Sequence, residues 1–203
     1  MRNDFIILIG GAPTVGKSTL TKMLAKHLDI PWISTDQINS IIKNVVSVEK
    51  YPALFNADMS AEEFLNKYSK KEIVRMENDQ SRCVWDGMNG LLSHHYPWKI
   101  FIIEGVAVLP EFVNSIKIDK KIIPLFLVDE DADRIREVVF KRGLFGPAKS
   151  YSDQVKEKEV LWCQEFSKQL KAECEKYNFE YFEVSKNDSD FVKIAKDIEV
   201  KIT

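Results

Sequence analysis

The chain has 203 residues, 45% of them hydrophobic and 30% charged, and a formal net charge of −2. That length suits a single domain with a real core. The near balance of charge argues against a nucleic-acid binder, which carries a basic excess or stripe.

Cys83, Cys163 and Cys174 are widely spaced, with no CxxC pair and no Cys/His cluster. Neither a zinc site nor a disulfide framework is expected, and a reducing cytoplasm fits best. The N-terminal apolar run is too short for a signal peptide, and none approaches the length of a membrane span.

In chain order, "FIILIG" is a continuous apolar run that predicts a central parallel strand covered on both faces. Leu20, Met23, Leu24 and Leu28 recur at helical spacing and predict a first helix over 17–28. "PWIS" predicts a short second strand. Thr35 or Ser34 can cap the next helix, with Ile38, Ile41, Ile42 and Val45 on one face. "YPALFNAD" is irregular, and Ser60 with Glu63 has the spacing of a capping box. A long helical stretch is expected from about Lys70 to His94, ended by Pro97.

"WKIFIIEG" and "KIIPLFLV" are the next two strands, with Pro124 marking a bulge or the start of the second. "DADRIREVVFKR" is a charged helix ending at Gly143. A second long helix is expected from Asp153 to Tyr177, then a strand in "FEYFEV" and a last helix in "DSDFVKIAKDIEVKI". Strands alternating with helices imply an α/β fold: a five-stranded parallel sheet with helices on both faces. Such sheets bind ligands at the carboxyl ends of their strands.

"GGAPTVGKST" carries the main chemical signal. Gly11, Gly16, Lys17 and Ser18 fit G-x-x-x-x-G-K-[ST], a phosphate-binding loop between a strand and a helix. Backbone N–H groups must wrap a triphosphate, which glycines permit, and the helix N-terminus adds positive potential. The expected nucleotide contacts are Gly11, Ala12, Pro13, Thr14, Val15, Gly16, Lys17, Ser18 and Thr19. The Lys17 ammonium reaches the outer phosphates, and the Ser18 hydroxyl is the candidate Mg²⁺ ligand. ATP is expected over GTP, because no N-K-x-D-like tetrapeptide appears.

Asp36 falls just past the second strand and Glu104 at the end of "IFIIEG". Either carboxylate can accept a proton from a substrate hydroxyl or organise magnesium-bound water; Asp36 can alternatively cap a helix. The helix after "PLFLV" carries Arg134, Arg136, Lys141 and Arg142, followed by Gly143, Gly146 and Pro147 as a hinge. This reads as a lid over about 134–152, with Arg136 and Arg142 the candidates for phosphate contact. His94 and His95 read as capping or surface residues, and Trp32, Trp85, Trp98 and Trp162 as packing residues.

"GGAPTVGKST", "ISTDQI" and "IIEGVAVLP" together resemble successive blocks of 2-phosphoglycerate kinases and related P-loop small-molecule kinases of NMP-kinase-like fold. The blocks come in the right order and cover most of the chain. The resemblance implies ATP and Mg²⁺, with Asp36 facing the acceptor hydroxyl and Arg142 the phosphates. Ala107 stands where the family has a histidine, and "IREVVFKR" replaces its histidine-bearing segment before the lid arginine.

The expectation is one kinase domain over 1–203, with about 48–97 forming a helical acceptor-binding region. The substrate would be a small-molecule acceptor, 2-phosphoglycerate or a related phosphorylated or hydroxy acid. A nucleoside or nucleotide kinase and a regulatory P-loop ATPase are the alternatives.

Overall fold

The computed structural model describes residues 4–55, 59–144, 147–184 and 189–202. Along the chain run β1 (Phe5–Gly11), α1 (Lys17–Leu28), β2 (Trp32–Ser34), α2 (Thr35–Lys43), a 3₁₀ turn (Pro52–Phe55), α3 (Ala61–Lys67), α4 (Lys70–Ser93) and β3 (Ile100–Gly105). Then follow α5 (Pro110–Ser115), β4 (Lys121–Val128), α6 (Ala132–Arg142), a second 3₁₀ turn (Ala148–Ser150), α7 (Asp153–Tyr177), β5 (Tyr181–Glu183) and α8 (Ser189–Ile202). The five strands form one sheet in the order β2-β3-β1-β4-β5, and every pair is parallel.

Every residue of β1 is buried, as its unbroken apolar run demands of a strand covered on both faces. α1 packs on β1, β2 and β3 and against α8, while α7 contacts β4 and gathers α3, α4, α5 and α6 around itself. The chain leaves β1 toward β2 on one side of the sheet and leaves β3 toward β4 on the other. The neighbouring carboxyl ends of β1 and β3 therefore open a crevice where the connections diverge, the usual ligand position in such sheets.

Most predicted elements form where the pattern put them, and the differences have local causes. Ser34, not Thr35, caps α2: its hydroxyl accepts from the Gln37 N–H, and the Gln37 side chain accepts in return from the Ser34 N–H. Only part of the expected α2 apolar face is covered. Ile38 is buried, but Ile41 and Val45 are 61% and 79% exposed; α2 meets α4 with Ile38 and Ile42 beside Gly87.

α4 ends at Ser93 with His94 as its C-cap, as expected, whereas α5 was not expected. Pro124 creates no bulge. It pairs in register with Leu8, where β4 extends beyond β5 and no ladder bond is needed on that side. Trp85 is buried against Phe112, and Trp98, though 45% exposed, stacks on Tyr96 with ring centroids 5.0 Å apart; Trp32 is 36% exposed. His94 follows the last turn of α4, and His95 is exposed beside Asp4. Of the proposed hinge, Gly143 adopts φ 73 and Gly146 lies outside the described residues.

Candidate active site

The strand register assembles the site. Ile9 of β1 lies opposite Glu104 of β3, which lies opposite Ser34 of β2. One step beyond this row the phosphate loop leaves β1, Glu104 ends β3 with Gly105, and Asp36 enters the first turn of α2. A cavity of about 570 Å³ opens there.

Its floor is the phosphate loop, through Pro13, Thr14, Gly16, Lys17, Ser18 and Thr19; of the expected contacts, Gly11, Ala12 and Val15 do not line it. Thr14 and Gly16 take positive φ values of 76° and 84°, which turns the backbone back on itself ahead of α1. α1 has no side-chain cap at Gly16 and no acidic residue in its first turn, so its positive end is left for an anion. Thr14 Oγ1 is buried and has no hydrogen-bond partner among the described residues. The loop thus has the backbone geometry and one unpartnered hydroxyl, Thr14 Oγ1, that fit a phosphate chain.

Lys17 is buried, and its Nζ donates to the Ala12 carbonyl at 2.7 Å, across the loop. Burial lowers its pKa to about 8, although Glu104 and Asp36 pull it upward. Ser18 Oγ donates to Glu104 Oε1 at 3.1 Å, which links the candidate metal ligand to the acid at the end of β3. Burial raises the Glu104 pKa, opposed by Lys17 and by the Ser18 hydroxyl. No cluster of three His, Cys, Asp or Glu side chains able to hold a metal occurs among the described residues. A divalent cation here would rest on Ser18 and its Glu104 partner together with ligand phosphates, the arrangement Mg²⁺ favours.

Around the rim, α2 supplies Asp36, the end of α6 supplies Arg142, and α7 supplies Trp162. The structure therefore brings Lys17, Ser18, Asp36, Glu104 and Arg142 together. It does not bring Arg136, which lies outside the cavity. Arg136 Nε and Nη2 donate to the two Glu157 oxygens at 2.7 and 3.0 Å, and Nη1 donates to Asp133 at 2.8 Å. A guanidinium held bidentate by α7 is occupied in fastening α6. Arg134 is also engaged, with Asp129 at 2.5 Å and the Thr14 carbonyl at 3.4 Å, so it braces the phosphate loop from α6.

Glu77 was missed in the sequence. It projects from α4 into the cavity, and its pKa is raised to about 7, first by burial and then by the Asp36 carboxylate. A signal for it exists. The core stripe of α4 runs through Ile73, Ser81, Val84, Trp85 and Met88. Glu77 occupies the helical step between Ile73 and Ser81, where an apolar residue belongs. An acid in a core stripe needs a reason, and here the reason is the cavity.

No protein-family model matches the chain. It is 26% identical over 155 residues to a 2-phosphoglycerate kinase from Methanocaldococcus jannaschii, covering 74% of this chain and 50% of that protein. It is 27% identical over 204 residues to the 2-phosphoglycerate kinase of Pyrococcus horikoshii, covering 98% of this chain and 65% of that one. The chain thus spans between half and two thirds of these relatives' length. Among solved structures it superposes on a gluconokinase from Sinorhizobium meliloti with a TM-score of 0.56 at 11% identity, over the full length of both chains. The fold is that of the P-loop small-molecule kinases, and the sequence is similar to 2-phosphoglycerate kinases. Among the described residues, no helix is long and apolar enough to cross a membrane.

Proposed function

We propose that the chain transfers the γ-phosphoryl group of ATP to a hydroxyl of a small molecule. The observation that carries this reading is the meeting of the phosphate loop, Glu104 and Asp36 at one cavity, at the row where Ile9, Glu104 and Ser34 stand side by side. A bound nucleotide and its metal account for Glu104 through Ser18, whereas Asp36, reaching the same cavity from α2, is placed to meet an acceptor. The relatives' names put forward 2-phosphoglycerate, or a related phosphorylated or hydroxy acid, as the acceptor.

In this reading Lys17 and the phosphate-loop N–H groups bind the triphosphate. Arg142 neutralises charge on the transferring group, and Asp36 orients the acceptor hydroxyl and takes its proton. Mg²⁺, held by Ser18 and the phosphates, would supply further charge neutralisation. The acceptor wall is α2 with the helical region of about 48–97, and the lid expected over about 134–152 presents Arg142 to the phosphates.

The test is acceptor-dependent release of ADP from ATP. Lys17→Ala is expected to lower the rate on the order of 10²–10³-fold while the protein stays folded, as when one oxyanion-stabilising donor is removed. A folded Lys17→Ala protein with the parent's rate would refute the assignment.

A further inference from the structure

Among the described residues that line the cavity, carboxylates outnumber cations. The cations among them are Lys17 and Arg142. Lys17 stands over the phosphate loop, with its Nζ on the Ala12 carbonyl, and Arg142 ends α6 close enough to Lys17 to act on its charge. In the proposed function both serve the triphosphate. The carboxylates come from three elements: Asp36 from α2, Glu77 from α4, and Glu104 at the end of β3, which accepts from Ser18 of the loop. Asp36 and Glu77 are close enough for the charge of one to act on the other.

At pH 8, above the value of about 7 to which Glu77 is raised, its ionised carboxylate only accepts hydrogen bonds. A wall built from two such carboxylates is satisfied by a ligand that donates, and it repels one that brings oxygen anions. Two unit charges about 4 Å apart at an effective dielectric constant near 20 repel by about 4 kcal/mol. A phosphorylated or carboxylic acid would face this wall with no described cation left to receive it.

We propose, on the premise that the chain is a kinase, that its acceptor is an uncharged polyhydroxylated molecule of the sugar or sugar-alcohol class. Asp36 and Glu77 accept its hydroxyl hydrogens. Asp36 meets the hydroxyl that is phosphorylated, and Glu77 acts as a specificity residue that holds a neighbouring hydroxyl and turns anionic acids away. The reaction balances simply: the acceptor oxygen bonds to the γ-phosphorus, the bond from that phosphorus to the bridging oxygen breaks, the hydroxyl proton goes to Asp36, and ADP leaves.

The experiment pairs each neutral acceptor with its own acid: glycerol with glycerate, ribitol with ribonate, glucitol with gluconate, and 2-phosphoglycerate besides. The full chain is assayed at pH 8 with Mg·ATP for ADP release, and titrated calorimetrically in the presence of a non-hydrolysable ATP analogue. The expected result is a kcat/KM at least about tenfold higher for a neutral acceptor than for its acid, a modest share of the repulsion above. Glu77→Gln, which keeps size and removes charge, is expected to raise KM for the neutral acceptor with kcat within a few-fold. It should also narrow the preference over the acid about tenfold, with nucleotide affinity unchanged.

An acid that outperforms its neutral partner overturns the proposal. If that transfer depends on Lys17, the kinase reading stands. Where no compound accelerates ADP release, the calorimetry decides. Tighter binding of the neutral member supports the proposal, whereas equal binding, tighter binding of the acid, or binding of neither overturns it. A preference for the neutral acceptor that is unchanged in Glu77→Gln removes Glu77 from it.

Discussion

Lys17 shows how the fold holds a charge in readiness. Burial lowers the pKa of this ammonium from 10.5 to about 8, at 1.36 kcal/mol per unit a cost of about 3 kcal/mol to the folded state near neutrality. The unfolded chain holds the proton more tightly, so this cost shrinks as pH rises from about 8 to 10.5. Lys17→Met is therefore expected to melt higher than the parent at pH 7 and to lose that advantage by pH 10.5; a variant no more stable than the parent at pH 7 would contradict it. Triphosphate binding favours the protonated form, so nucleotide affinity is expected to fall roughly tenfold per unit as pH rises past about 8. Calorimetry at a series of pH values would show this, and a flat profile would mean that the ammonium does not meet phosphate.

Asp36 can be tested without disturbing its helix, because Ser34 is the cap. Asp36→Asn removes the charge and the proton-accepting ability while leaving Ser34 and Gln37 in place. A loss of about 10²-fold in transfer is expected, with nucleotide affinity nearly unchanged; a loss under about threefold would make Glu104 the better candidate for the base.

At the scale of elements, the first turn of α2 and the end of β3 touch without a gap. A Cβ on Gly105 would lie 1.8 Å from Thr35 Oγ1, and Gly105 has φ 148. Gly105→Ala must push α2 outward and carry Asp36 with it. A destabilisation of about 1–3 kcal/mol is expected, together with a loss of phosphoryl transfer larger than that of stability, because small displacements of a reacting group are costly. Denaturant unfolding and the ADP assay measure the two. Unchanged activity in this variant would mean that Asp36 need not hold its position.

The elements also mark what could be read in advance. The phosphate loop, α1 and α7 were legible because glycine spacing and helical periodicity are local signals. The engagement of Arg136 was not, since Glu157 is 21 residues away and nothing local links the two. Glu77 was legible in principle, as an acid inside an apolar stripe, but only the packing of α4 beside α2 gives it a cavity to face.

For the whole molecule, the order β2-β3-β1-β4-β5 converts three separated stretches of sequence into one site. The periodicity of each strand identifies it as a strand; the register of Ile9, Glu104 and Ser34 is a product of the assembled sheet. The acceptor was beyond reach in the sequence for the same reason: its wall combines α2 with α4, and their charges acquire meaning only side by side. The chain also spans only part of the relatives it resembles, so their names guide the choice of acceptors without fixing it.

The central claim is group transfer, as against nucleotide binding or idle hydrolysis. ATP labelled in the γ-phosphoryl group, incubated with the protein alone and with the paired acceptors, tests it directly. The account predicts little turnover without acceptor and, with the right one, label on an acceptor oxygen in equal amount to the ADP formed, both lost in Lys17→Ala. Label appearing only as inorganic phosphate, at a rate that no acceptor changes, would contradict it and identify the chain as an ATPase.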